Sequence, residues 1–283
     1  MRTFFSSLAV IVGLLLAAVA GPAIWVDRNV VQEDGFVSLM APLGDDADFQ
    51  KQLAAATIAN LDISDSLPGP LARIVEPILE SAAQSLVGLP GYPAAWEETL
   101  RNSHRLNFPG DSSEATDSTA FRLDLGPLTG LVVKQITATT GLPLPAPGET
   151  LVTLDQSSQR ETLDRISTYA PLGYQLAGGA VVIFLLAVVV ARRRWAAVLG
   201  IGISALIVAG IWALGLGVAR DAILGMAGGS SLQELFQRVA VETASSSFTP
   251  WITSALVAGG VLVVLSVVVR VVSGKKASAA SGA

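Results

Sequence analysis

The chain has a single histidine, His104, and histidine is the side chain best suited to proton transfer near neutral pH. Glu97, Ser103 and Asp111 are close to it in sequence, so a carboxylate, a hydroxyl and an imidazole for hydrolysis are available. The chain contains no Gly-x-Ser-x-Gly nucleophile elbow. We therefore expect His104 to pack beside Trp96 on one helix face and to hydrogen-bond a neighbour, and a hydrolase centred on His104 is the alternative.

A second chemical candidate is the acidic cluster Asp45, Asp46 and Asp48, because calcium prefers several oxygen ligands. The spacing does not match an EF-hand loop, and carboxylates stabilise the N-terminus of a helix without any metal. We expect a helix start here, with a cation site as the alternative. The chain has no cysteine, which excludes disulfides and cysteine-based metal sites, and we predict no cofactor.

Small residues form two patterns in one apolar stretch. Gly200, Gly202 and Ala205 resemble a dinucleotide-binding fingerprint, but no strand precedes them, so we reject that interpretation. A stripe spaced by four residues predicts close helix packing, against a helix of the same chain or of a second copy. Its members are Ala205, Ala209, Ala213 and Gly217.

The composition predicts a membrane protein. Of the 283 residues 51% are hydrophobic and 14% are charged, whereas soluble domains carry about 25% charged residues. Crossing a bilayer takes about 20 apolar helical residues, and four stretches without ionisable side chains are long enough. They are Phe4 to Val26, Leu172 to Ala191, Trp195 to Val218 and Trp251 to Val269.

The charges that flank these stretches predict their orientation. Basic residues alone lie before the first span, between the second and third at Arg192, Arg193 and Arg194, and after the fourth. Short loops rich in arginine and lysine stay in the cytoplasm. We therefore expect a multi-pass plasma-membrane protein with both termini cytoplasmic. The first span (residues 1–26) is predicted to be an uncleaved anchor, and a signal peptide cleaved after Ala20 is the alternative.

Residues 27–170 are then outside the membrane. They contain 20 acidic and 9 basic residues, a net charge of −11, which excludes nucleic-acid binding and suits basic or cation-bridged partners. The remaining predicted segments are a span at 171–191, a cytoplasmic turn at 192–194, a span at 195–218, an outer loop at 219–250, a span at 251–270 and a tail at 271–283.

The outer segment is predicted to be mainly helical. Apolar spacing indicates helices from Asp46 or Asp48 to about Leu61, over 71–86, around Trp96 to His104, after Pro127 and after Ser158. Trp96, Leu100 and His104 share one helix face. Short strands at 121–125 and 150–154 are expected to pair with each other. In the 219–250 loop, Ser231 and Glu234 indicate the start of a separate amphipathic helix of about three turns. The predicted fold is an α-helical membrane protein with four transmembrane helices and an α+β extracytoplasmic domain with a short two-stranded element.

Several short motifs, in their order along the chain, resemble those of a known group of proteins. They are Ala41-Pro42-Leu43, the WEETLRNSH segment ending at His104, FRLDLGPLTGLV from Phe121, and the arginine turn at 192–194. With these motifs the chain resembles a group of uncharacterised integral membrane proteins of actinobacteria, over most of residues 20 to 225. The resemblance implies a four-span envelope protein, places Arg101, Asn102 and His104 where the group often has a basic residue, asparagine and histidine, and implies no activity.

The function we expect is non-enzymatic: an envelope scaffold, sensor or partner-binding protein that acts through its outer domain. Its partners would be the lipid bilayer and an envelope protein or a second copy of the chain. The alternatives are a membrane-anchored envelope enzyme that uses His104 and a transporter subunit. Transport is disfavoured because the four spans contain no ionisable residue.

Overall fold

A computed structural model describes residues 2–46, 48–51, 88–108, 122–140, 151–153, 160–225 and 231–280. The helices, numbered in chain order over these residues, are α1 (Arg2–Val26), α2 (Glu33–Met40), α3 (Tyr92–Asn107), α4 (Gly126–Thr140), α5 (Arg160–Tyr169), α6 (Leu172–Val190), α7 (Arg194–Gly225) and α8 (Ser231–Ala280). A π-helical turn (Asp27–Val31) follows α1, and a 3-10 turn (Ala41–Asp45) follows α2. The strands are β1 (Arg122–Asp124) and β2 (Leu151–Thr153).

Four helical segments are long and apolar enough to cross a membrane, which confirms the four apolar helices predicted from the sequence and is consistent with a multi-pass membrane protein. Each is longer than the predicted span. The segments are Thr3–Val31, Leu163–Val190, Arg194–Gly225 and Gln237–Val272.

The helix predicted to begin at Ser231 does begin there, but its predicted length of about three turns is wrong, because α8 continues through Pro250. Proline has no N–H and disturbs the hydrogen bonds of the preceding turn. Hydroxyl groups on both sides of Pro250 donate to carbonyl oxygens one turn earlier: Thr249 to Ser245 at 2.8 Å and Ser254 to Pro250 at 2.7 Å. Neither bond reaches the carbonyl oxygen of Ser246, which is the one that a backbone N–H at position 250 would otherwise bind.

The chain divides into two compact units. Unit 1 contains residues 1–27, 168–221 and 245–283, which include the apolar parts of α1, α6, α7 and α8. Unit 2 contains residues 28–167 and 222–244. The two units are described separately.

In unit 1, α1 and α6 pack through small residues that recur every seven positions on each helix. The Ser6 hydroxyl donates to the carbonyl oxygen of Ala187 at 2.9 Å, and a Cβ placed on Gly173 would lie 2.8 Å from the backbone nitrogen of Ile24. The helices are therefore antiparallel, and their backbones approach closely because no large side chain separates them. The buried residues of the two series are Ser6, Gly13 and Ala20 in α1 and Gly173, Ala180 and Ala187 in α6.

A second close contact joins α7 to α8 at Gly202 and Gly259. A Cβ placed on Gly202 would lie 2.9 Å from the Val263 backbone nitrogen and 3.0 Å from the Gly259 carbonyl oxygen, so a side chain at Gly202 would hold the two helices apart. Only part of the small-residue stripe predicted in α7 lies on a buried face of that helix. Ala209 is buried and Ala205 half-buried, but Ala213 and Gly217 are exposed, and a Cβ on Gly217 would have no heavy atom within 4 Å.

Unit 2 is built around one face of α3. Tyr92, Trp96, Thr99, Leu100, Ser103 and His104 are its buried residues and recur at helical spacing. Trp96 and Leu100 are 1% exposed and His104 is 6% exposed, which confirms that these three share a buried face. Phe36, Leu39 and Met40 of α2 and Leu43 of the 3-10 turn complete this part of the core.

The strands β1 and β2 pair antiparallel, with Arg122 opposite Thr153, Leu123 opposite Val152 and Asp124 opposite Leu151. Residues 48–51 are helical where the helix after Asp46 was predicted to begin. The rest of that helix, the predicted helix over 71–86 and the Ser158 cap lie outside the described residues.

Candidate functional site

His104 is held in the interior of unit 2 by backbone and aromatic contacts. Its Nε2 lies 3.0 Å from the carbonyl oxygen of Val30 in the π-helical turn. Its ring stacks on Phe108 at 4.7 Å and contacts Phe36 at 5.2 Å between ring centres, so these rings, not Trp96, are its aromatic partners. Burial lowers the pKa of His104, and the Val30 carbonyl opposes this only in part. Because a carbonyl oxygen only accepts, Nε2 of His104 carries a hydrogen and donates a hydrogen bond to Val30.

The other residues of the candidate hydrolase are engaged elsewhere. The Ser103 hydroxyl donates to the Thr99 carbonyl oxygen at 2.6 Å and accepts the backbone N–H of Asp124 at 2.9 Å. Glu97 lies 3.6 Å from Arg101 one turn along α3. Asp111 lies outside the described residues. The described part of the chain thus uses Ser103 and His104 to hold α3 against β1 and against the turn after α1.

Two asparagines of α3 attach β1 to the helix. The Asn107 amide donates to the carbonyl oxygens of Ser103 at 2.6 Å and Arg122 at 2.7 Å, and its oxygen accepts the Arg122 N–H at 3.0 Å. Asn107 therefore bonds to Arg122 as a neighbouring strand would. Asn102 donates to Oδ2 of the buried Asp124 at 3.0 Å, and the other oxygen of that carboxylate accepts the Gly126 N–H at 2.8 Å. Sequence analysis missed this role of Asn107, whose only signal is a polar residue near the C-terminus of α3.

A charged contact joins α2 to α3. Arg105 binds Glu33 with two hydrogen bonds, Nε to Oε2 at 2.8 Å and Nη2 to Oε1 at 2.9 Å, and Arg101 lies 4.0 Å from the same carboxylate. The hydrogen bonds from Arg105 are the main reason that the pKa of the Glu33 carboxyl is lowered. This exposed pair lies where α2 and α3 run beside each other.

Asp46 of the acidic cluster Asp45, Asp46 and Asp48 caps the start of a helix. Asp46 Oδ1 accepts the backbone N–H groups of Asp48 at 3.0 Å and Phe49 at 2.9 Å, as a helix N-cap does. Within the described ranges no three His, Asp or Glu side chains lie together as metal ligands would. Asp45 instead lies at the edge of a groove.

This groove, which we call the acidic groove, lies between α2 with its following 3-10 turn and the first turns of α3. It has a volume of ≈ 490 Å³. The carboxylates that line it belong to Asp34, Asp45 and Glu97. Arg101 is its basic residue, and this guanidinium is already close to Glu97 and Glu33. The charge of the groove lining is therefore negative.

The apolar side chains beneath the acidic groove are buried and fixed. The Trp96 indole donates to the Met40 carbonyl oxygen at 3.2 Å and packs edge-on against Phe49 at 5.8 Å. A Cβ placed on Gly44 would lie 2.6 Å from Cδ1 of Trp96, so glycine at this position lets the 3-10 turn close over the indole. Val37 is buried as well, and the exposed apolar part of the lining comes from Pro42 and Pro93. Exposed apolar groups beside carboxylates suit a side chain with an aliphatic stem and a cationic end.

Of the three arginines predicted to mark the cytoplasmic turn, Arg192 and Arg193 lie between α6 and α7, and Arg194 is the first residue of α7. Arg192, Arg193 and Arg194 are exposed. At the same end of unit 1, the guanidinium of Arg270 in α8 lies 4.8 Å from the ring centre of Trp195. Basic residues from two distant parts of the sequence therefore gather at one end of the apolar helices.

Comparisons with protein-family models, with curated proteins and with solved structures find no match for this chain.

Proposed function

We propose that this chain is an envelope protein that binds a cationic segment of a partner in the acidic groove. The observation that carries the proposal is the composition of the groove. Three carboxylates, from Asp34, Asp45 and Glu97, line it together with the exposed prolines Pro42 and Pro93. A lysine or arginine of the partner would place its methylene stem against the prolines and its charge among the carboxylates.

Two further features support a cationic partner. Asp34 and Asp45 are exposed, so their charges are available to a ligand, and Arg101 is drawn toward Glu97 and Glu33. The whole 27–170 segment has a net charge of −11, which would attract basic partners over long distances and raise their rate of association.

The proposal includes the orientation of the protein. Residues 27–170 would be outside the cytoplasm in the plasma membrane, and both termini would be inside. Support comes from the basic residues at the ends of the apolar helices and from the contact between Arg270 and Trp195, which brings two of these basic regions together. Membership of the actinobacterial group suggested by the sequence motifs also stays a prediction.

The direct test is peptide binding to the purified full-length chain in a neutral detergent. The probe is a fluorescent peptide of alternating lysine and leucine, compared with the same peptide carrying glutamate in place of lysine. We expect Asp34→Asn with Asp45→Asn to weaken binding of the lysine peptide by about tenfold. Asp48→Asn is the matched control, because Asp48 is an exposed aspartate close to the groove but not in its lining.

Equal loss of affinity in the Asp48→Asn variant would show a general effect of charge and would contradict the groove. Tight binding of the glutamate peptide would also contradict it. In cells, a photo-crosslinking residue at Ser38, which lines the groove, is compared with one at Ala138, an exposed position of α4. We expect a partner to be captured at Ser38 and not at Ala138, and this capture should be lost in the Asp34→Asn, Asp45→Asn variant. If the only protein captured is a second copy of this chain, the groove is a contact between copies and the proposal of a separate partner is wrong.

A further inference from the structure

Unit 1 contains a cleft of its own at the end of the apolar helices where the arginines gather. Its volume is ≈ 810 Å³, within the range of about 300–1,000 Å³ that is typical of ligand pockets. The first turns of α1 form one wall, and the turn before α7 with the first turns of α7 forms the other.

The mouth of this cleft is cationic and rich in hydroxyl groups. Arg192 and Arg193 line it together with the exposed Thr3 and Ser7, whereas the hydroxyl of the buried Ser6 already donates to the Ala187 carbonyl oxygen. In the part of the chain that the structure describes, neither arginine forms a salt bridge, and the sequence has no acidic residue from 1 to 26 or from 165 to 220. Two guanidinium groups beside hydroxyl donors are the groups that proteins use to bind a phosphate.

The deeper part of the cleft is apolar. Val10 and Gly200 each lie seven residues farther along their helices than Thr3 and Arg193, which is roughly 10 Å at 1.5 Å per residue. A Cβ placed on Gly200 would lie 3.6 Å from a methyl group of Val10, so the two helices approach each other at this depth. A free phosphate would use only the arginine end of such a cleft, whereas a lipid would contact both parts.

We propose that this cleft binds the headgroup of an anionic phospholipid from the adjacent leaflet. The phosphate would contact Arg192 and Arg193, and the glycerol and first acyl carbons would lie against Val10 and Gly200. Basic pockets between apolar helices at the bilayer surface favour anionic over neutral lipids for this reason. The site is independent of the acidic groove, which belongs to unit 2.

The test is lipid binding to the full-length chain in a neutral detergent, measured by native mass spectrometry and by the increase in unfolding temperature. The probes are phosphatidylglycerol, phosphatidylcholine and inorganic phosphate. We expect one phosphatidylglycerol to bind most tightly, with affinity reduced roughly 30-fold in the Arg192→Gln, Arg193→Gln variant. Arg194→Gln is the control, because it removes one positive charge from the adjoining first residue of α7, which lies outside the cleft lining.

A second variant tests whether the loss of lipid binding comes from the cleft itself, and not from misfolding or from a change in net charge. Ser7 is an exposed residue of the cleft wall, so Ser7→Trp should fill the cleft without changing the charge and should also weaken binding of phosphatidylglycerol. If the double arginine variant does not fold, this variant decides the outcome. The proposal is overturned if phosphatidylcholine binds as tightly as phosphatidylglycerol, or if inorganic phosphate raises the unfolding temperature as much as the lipid does. It is also overturned if Arg194→Gln weakens lipid binding as much as the double variant, or if Ser7→Trp binds the lipid as tightly as the native chain.

Discussion

Trp212 of α7 donates its indole N–H to the carbonyl oxygen of Ala18 in α1, at 2.8 Å. Ala18 lies four residues before Pro22, which has no N–H to offer this carbonyl. Gly21 makes the contact possible, because a Cβ there would lie 2.1 Å from the Trp212 ring. A side chain from one apolar helix thus replaces the backbone hydrogen bond that proline removes from another, in a setting where an unsatisfied carbonyl is costly.

A double-mutant cycle tests this replacement. Trp212→Phe keeps an aromatic ring but leaves the Ala18 carbonyl without its donor, so we expect a loss of about 1–3 kcal/mol in the free energy of unfolding in detergent. Pro22→Ala supplies a backbone N–H to the same carbonyl, so Trp212→Phe should cost clearly less in that background. Equal costs in both backgrounds would show that the hydrogen bond to Ala18 is not the reason for the effect.

Asn107 should contribute strongly to the stability of unit 2. Its side chain makes three hydrogen bonds, to Ser103 and to both backbone groups of Arg122. We expect Asn107→Ala to lower the free energy of unfolding by about 1–3 kcal/mol, because partly buried backbone groups lose their partners. Arg105→Gln, which removes an exposed ion pair two residues away, is the comparison and should change stability much less. The measurement is chemical unfolding followed by circular dichroism.

The stability of unit 2 should depend on the protonation of His104. Its pKa is lowered below 6.5 in the folded protein, mainly by burial, so the unfolded chain binds a proton more readily. The contribution of the neutral ring is complete above pH 6.5 and is lost as the pH falls from 6.5 to the lowered folded pKa. We expect His104→Gln to remove this dependence. Unfolding curves between about pH 7.5 and pH 5 check it, and parallel curves for the two proteins would contradict it.

The contact of Gly202 with α8 should tolerate no side chain. We expect Gly202→Leu to destabilise the apolar helices by about 1–3 kcal/mol or more, because the added atoms meet the backbone of Gly259 and Val263. Gly210→Leu is the matched control in the same helix, since a Cβ there has no heavy atom within 4 Å. Gly217→Leu adds a test of self-association: if the exposed end of the predicted stripe is a contact between copies, this variant folds normally but loses the oligomer in crosslinking.

The proposed orientation of the chain in the membrane can be tested by chemical labelling of cysteines. The chain has no cysteine of its own, so single cysteines can be introduced one at a time. Thr3 and Ser38 are both exposed. We expect Ser38→Cys to react with a membrane-impermeant maleimide on intact cells, and Thr3→Cys to react only after the membrane is permeabilised. The opposite pattern would reverse the orientation, and labelling of both positions on intact cells would contradict the proposal.

The amino-acid sequence alone determined the features that depend on local composition. Long uncharged apolar segments predict four helices because only a helix satisfies its own backbone hydrogen bonds in lipid. The repeat of Trp96, Leu100 and His104 at four-residue spacing predicts their common buried face because helical periodicity requires no knowledge of the partner. The Asp46 cap also follows from local geometry, since its bonds reach only residues 48 and 49.

Only the tertiary structure decided which small residues are packing contacts. Ala213 and Gly217 continue a regular stripe but are exposed, whereas Gly202 packs against α8. The sequence around each glycine is equally apolar, and the difference lies in where the second helix crosses. The sequence also did not predict that α8 continues through Pro250, because proline usually ends a helix.

The binding sites were likewise decided by long-range contacts. Asp45 lines a groove because the Trp96 indole, about 50 residues later, closes against Gly44, and Arg193 lines a cleft because α7 begins beside the start of α1. Asn107 bonds to Arg122 across a segment whose length in sequence gives no indication of the contact. Sequence patterns specify which face of an element is apolar or charged, but the partner of that face is selected by the packing of the whole chain.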